Sequence, residues 1–155
     1  MYPSCIYVNT SIVIRALNPG EPGHFEAKRI LEECCKECRC VYSSVHKYEM
    51  PSKDFSELPR FLEKRGAIYA EVDASRMEAQ AVQVVIGRRL TRKRIPDLMH
   101  IIAAKTLGCK YILARDRFLW RNAKYYGLEY VNWETHRGKC PCSRKNLSTS
   151  GQAET

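Results

Sequence analysis

No apolar stretch in this chain approaches the roughly 18 residues that a membrane-spanning helix needs. The first residues, Met1-Tyr2-Pro3-Ser4-Cys5, lack the basic start and small-residue cleavage site of a secretory signal. These two absences predict a soluble, cytoplasmic protein with no membrane among its partners. No internal repeat is present either, which sets solenoids and propellers aside. Acidic residues are scarce beside basic ones: 17 Asp and Glu stand against 26 Lys and Arg, a net charge of +9. A small protein with that excess attracts polyanions, of which nucleic acid is the commonest.

The basic residues are clustered. Arg88, Arg89, Arg92, Lys93 and Arg94 crowd one stretch, and Arg115, Arg117 and Arg121 another. On charge alone each cluster reads as a solvated helix end or loop; placement beside an acidic site would make it a phosphate-binding surface. Eight cysteines accompany them. Without a secretory signal, a secreted disulfide framework is not expected, and intracellular disulfides of the kind found in hyperthermophiles are the open exception. The clusters Cys34-Cys35-Lys36-Glu37-Cys38-Arg39-Cys40 and Cys140-Pro141-Cys142 together offer thiolates enough for zinc, but Cys140 and Cys142 are not spaced as the usual C-x2-C pair. Cys34 and Cys38 also fit the apolar face of a helix, where a thiol packs as a small hydrophobe.

A length of 155 residues suits one domain with a real core. Strand and helix signals alternate along it. Short apolar runs at 5–8, 40–42, 67–72, 111–114 and 130–133 read as strands, the first of the kind buried on both faces of a parallel sheet. Helical spacing covers 12–17, 24–38, 44–50, 57–65, the region after the Ser75-Arg76-Met77-Glu78 capping box, 97–107 and 118–126. Pro59 is expected near the first turn of its helix, where its missing N–H matters little. The run 97–107 is apolar nearly all round and should be central. This order predicts an α/β fold, a three-layer α/β/α sandwich on a mainly parallel sheet, over residues 1–137, with a polar tail at 138–155.

Open parallel sheets carry function just beyond the carboxyl ends of their strands. Asn9 follows the first strand, Glu49 sits on a short helix after the second, Asp97 opens the buried helix, and Asp116 follows the fourth strand. Carboxylates gathered together raise each other's pKa unless a cation neutralises them, and oxygen ligands suit Mg²⁺ or Mn²⁺. Each has a plainer reading: Asp97 after Pro96 is a good helix N-cap, Asp116 could simply start its helix, and Glu49 could be an exposed helical Glu.

The pattern Ile6-Tyr7-Val8-Asn9-Thr10-Ser11, then Glu49, then Pro96-Asp97 leading Leu98-Met99-His100-Ile101-Ile102-Ala103-Ala104, then Tyr111-Ile112-Leu113-Ala114-Arg115-Asp116, resembles the PIN-domain nucleases. It is most similar to the VapC-like toxins of toxin–antitoxin pairs, over about residues 5–135. The resemblance implies a Mg²⁺- or Mn²⁺-dependent endoribonuclease acting on single-stranded RNA, with Asn9, Glu49, Asp97 and Asp116 in the four acidic places. Thr10 or Ser11 would steady a carboxylate, and Arg88, Arg89, Arg92, Arg115 and Arg117 would hold phosphates without reading sequence. An antitoxin protein and a two-fold homodimer are the implied partners. Two positions depart from the family: Asn9 stands in place of its first Asp, and Ala114 in place of its usual Thr or Ser. The alternatives are a catalytically silent PIN-like domain that binds RNA or protein, and a zinc-stapled interaction module.

Overall fold

The protein is described here by a computed structural model covering residues 5–50, 52–114 and 116–132, with the backbone alone for Asp54 and Asn132. The expected tail at 138–155, Arg115, Trp133, Cys140 and Cys142 lie outside the described residues. Within them the elements run β1 (Cys5–Val8), α1 (Thr10–Leu17), α2 (His24–Glu37), β2 (Arg39–Ser43), α3 (Ser44–Glu49), α4 (Ser52–Glu63) and β3 (Ile68–Ala70). They continue with α5 (Ala74–Gly87), α6 (Ile95–Thr106), β4 (Tyr111–Ala114), α7 (Arg117–Ala123) and β5 (Glu129–Asn132).

The five strands form one sheet in the order β3-β2-β1-β4-β5. Every neighbouring pair is parallel, with Tyr7 opposite both Val41 and Ile112. Because side chains alternate across a strand, each strand feeds two cores. Ile6, Val8, Tyr42 and Leu113 pack with α1, α2 and α4 on one face. Tyr7, Val41, Ile112 and Ala114 pack with α5, α6 and α7 on the other. Both faces are therefore covered, which explains why β1 and β4 are apolar at every position. The result is the expected three-layer α/β/α sandwich.

Several local expectations are corrected. Helix α5 is capped by Asp73, whose side chain accepts from the Arg76 N–H, so the Ser75–Glu78 box is not its start. Asp97 is the third residue of α6 and does not cap it; Arg94 holds the N-cap position without a side-chain bond. Helix α4 begins at Ser52, which puts Pro59 inside it. Burial of Leu58 and Leu62, with Phe55 packed on the same core, carries the helix through the proline. The reading of Cys38 as a packed thiol also changes, and a question that the sequence left open is answered. Cys5 and Cys109 form a disulfide that ties the start of β1 to the loop before β4, and Cys38, just past the end of α2, is disulfide-bonded as well. Cys34, Cys35 and Cys40 are buried in the core.

Candidate active site at the sheet switch point

Chain connections leave β1 toward β2 and β3 on one side, and β4 and β5 lie on the other. The crevice where the order reverses, beyond the ends of β1 and β4, is where such sheets place ligands. Asn9 and Asp116 flank it. The Asn9 N–H bonds the Leu113 carbonyl at 3.0 Å, continuing the β1–β4 ladder one residue past the strand. Its side chain caps α1: Oδ1 accepts from the Ser11 N–H at 3.1 Å and the Ser11 hydroxyl at 2.9 Å. Asp116 caps α7 in the same way, with Oδ1 accepting from the Phe118 and Leu119 N–H groups at 2.7 and 3.1 Å. Its own N–H donates to the Tyr130 hydroxyl at 2.8 Å. The plainer reading of Asp116 as a helix start is thus part of its structure, and Oδ1 alone serves it.

Glu49 ends α3 and turns inward. Its Oε1 accepts from the Thr10 hydroxyl at 2.5 Å and from His100 Nε2 at 2.7 Å. Burial acts to raise this carboxyl, but the His100 and Thr10 bonds outweigh it and bring it down to about 2. Behind it runs a buried polar chain. His100 Nδ1 meets the Tyr7 hydroxyl at 2.7 Å, Tyr7 meets the Ser43 hydroxyl at 2.8 Å, and Ser43 Oγ accepts from the Val45 N–H at 3.2 Å. Glu49 only accepts, so Nε2 of His100 carries the hydrogen. His46 stacks edge-on to His100 at 4.6 Å and bonds the Val8 carbonyl through Nε2 at 2.7 Å. Burial, with His100 beside it, pushes His46 down to about 3, so it stays neutral.

Asp97 sits one helical turn before His100, 3.5 Å from the Arg94 guanidinium. Burial, then the neighbouring Asp116 and Glu49 charges, push its carboxyl up to about 6; His100 and Arg94 offset this only in part. Asp97 on α6 is thus close enough to Glu49 of α3 and to Asp116, two residues past β4, to feel both charges. Among the described residues, however, no group of three or more His, Cys, Asp or Glu is gathered tightly enough to hold a metal ion by itself.

The basic stretch reaches the same edge through Arg94. Arg88, Arg89 and Arg92 are exposed, as is Arg117 at the start of α7. Arg88 donates to Asn122 Oδ1 at 2.6 Å, and the Arg94 guanidinium lies 4.6 Å from the Phe118 ring, so this stretch is fastened to α7. The Arg92 charge reaches the Tyr48 phenol, next to Glu49. Sequence reasoning missed the Tyr7–His100–Glu49 chain. Its one visible signal was His100, the only polar side chain in the run from Leu98 to Ala104. No protein-family model matches this chain, and no relative is found among curated proteins.

Proposed function

We propose that this chain is a metal-dependent endoribonuclease of the PIN-domain kind that hydrolyses phosphodiester bonds in single-stranded RNA. In the same reading it is the toxin of a toxin–antitoxin pair, a cytoplasmic homodimer with an antitoxin protein as partner. The observation that carries the reading is Asp97: its carboxyl is pushed up to about 6 by burial and by Asp116 and Glu49, at the switch point of the sheet. Arg94 neutralises such a cluster only in part, and a hard divalent cation, Mg²⁺ or Mn²⁺, is the ligand that would supply the rest. Asp97 and Asp116 would hold that ion, the latter through the oxygen its helix cap leaves over. When bound it would withdraw charge from the phosphate oxygens and make a water acidic enough to attack. Thr10 and His100 hold Glu49 in one ionised orientation beside that place, and Arg92 and Arg117 would carry the flanking phosphates.

A second reading, a silent RNA- or protein-binding domain, is favoured by the neutral amide of Asn9 and by the internal pairing of Glu49. Cleavage of a labelled single-stranded RNA with and without Mn²⁺ separates the two. Slow Mn²⁺-dependent cutting is expected from the wild type and none from Asp116→Asn, which keeps the helix cap. Asn9→Asp also keeps its cap and adds the missing charge, so it should raise cutting by on the order of 10–100-fold. If Asn9→Asp cuts no RNA with Mn²⁺ present, the silent reading replaces the nuclease.

A further inference from the structure

Helix α7 buries Leu119, Asn122 and Ala123, and its opposite side carries Arg117, Trp120, Arg121 and Lys124 at helical spacing, all exposed. Tyr125 follows in the next turn, and Trp120, Arg121, Lys124 and Tyr125 together line a pocket. Trp120 is 51% exposed and Tyr125 78%, unusual for side chains that gain so much from burial. Among the described residues Arg117, Arg121 and Lys124 make no ion pair. Arg88 stands 6.0 Å from the Tyr125 ring, joining this face to the basic stretch. The face starts at the candidate active site: the Trp120 N–H bonds the Asp116 carbonyl, one turn or about 6 Å along the helix.

We propose that this face is a base-stacking platform for single-stranded RNA, with Trp120 and Tyr125 stacking bases and Arg121 and Lys124 holding the phosphates between them. The proposal rests on the RNA reading above and adds to it the surface that carries the strand away from the acidic site. A protein partner is the less favoured occupant. Planar rings interleaved with unpaired cations match a strand that alternates bases and phosphates, and the net charge of +9 is complementary to it. An apolar protein contact would leave those cations without partners.

The test is binding of labelled oligouridine in excess EDTA, which reads affinity without cleavage, beside an abasic oligonucleotide of the same length. Trp120→Ala should weaken oligouridine binding by on the order of tenfold and leave the abasic strand unchanged. Trp120→Phe should restore most of the loss. Tyr125→Ala, at the more exposed of the two rings, should shift oligouridine in the same direction. Unchanged oligouridine affinity in both alanine variants overturns the proposal, as does an equal loss on both strands. Loss of self-association in light scattering with RNA binding intact overturns it too and assigns the face to a protein interface. If Trp120→Ala loses oligouridine but the wild type cuts no RNA, the platform stands and the nuclease reading falls. If the wild type cuts RNA and both alanine variants bind normally, only the platform falls.

Discussion

Asp97 and Glu49 sit in one crevice, yet their environments drive them in opposite directions. Glu49 gains two donors, and its depressed pKa contributes stability that is present above its ordinary value and lost as pH falls toward about 2. Asp97 is the reverse case. Its folded pKa of about 6 lies above the ordinary 3.8, so the folded state binds the proton more tightly than the unfolded chain. The protein therefore loses stability as pH rises between those values, by at most about 3 kcal/mol. Asp97→Asn removes that cost. Urea unfolding without metal should find the variant close to wild type below about pH 4 and more stable above about pH 6, by roughly 1–3 kcal/mol. A difference that does not change with pH would mean that Asp97 has all the neutralisation it needs. The same variant should lose RNA cleavage, separating what favours folding from what favours function.

At the scale of elements, the junction after α5 shows a similar trade. The helix ends in a Schellman arrangement, with the Leu90 N–H on the Val85 carbonyl and the Arg89 N–H on the Ile86 carbonyl. That ending needs a left-handed residue, and Arg89 supplies it at φ 55°, where glycine is the usual choice. The left-handed region costs a side-chain-bearing residue roughly 1–2 kcal/mol, of which glycine's greater unfolded-state freedom would return about 0.5–1. Arg89→Gly should therefore raise stability by roughly 0.5–1 kcal/mol in urea titration. If Arg89 meets phosphate, the same change should flatten the logarithmic salt dependence of oligouridine binding by about 0.7. Stabilisation with an unchanged salt slope would leave Arg89 as a solvated helix end. Helix α7 works as a hinge between chemistries: its cap is Asp116, its inner side is core, and its outer side is the cationic, aromatic face.

For the whole molecule, the Cys5–Cys109 disulfide joins positions 104 residues apart. It braces β1 against the approach to β4, the two strands that flank the crevice. A link of that span constrains the unfolded chain strongly. Its removal by the double variant Cys5→Ala, Cys109→Ala should lower unfolding free energy by about 2–5 kcal/mol, measured by denaturant titration. A loss that is absent when both proteins are compared under reducing conditions would confirm the bond as its source, whereas an equal loss there would reflect lost packing of two buried side chains. No described helix is long and apolar enough to cross a membrane.

The order of strands and helices was legible in the residues, because apolar runs between turn residues and helical spacing are local signals. Residues 5–8 announced a sheet covered on both faces for the same reason. Helix starts were less legible: the Ser75-Arg76-Met77-Glu78 pattern pointed to Ser75, and the cap is Asp73. The acidic positions Glu49, Asp97 and Asp116 were also visible, since strand ends in a parallel sheet converge on one edge. Which oxygen of each carboxylate is committed, and to what, was not. That depends on Tyr7, Thr10, Ser43 and His100 meeting across 36 to 93 residues of chain, and no local pattern encodes a hydrogen bond at that distance. The Cys5–Cys109 bond belongs to the same class, because two isolated thiols become partners only when β1 and β4 lie side by side.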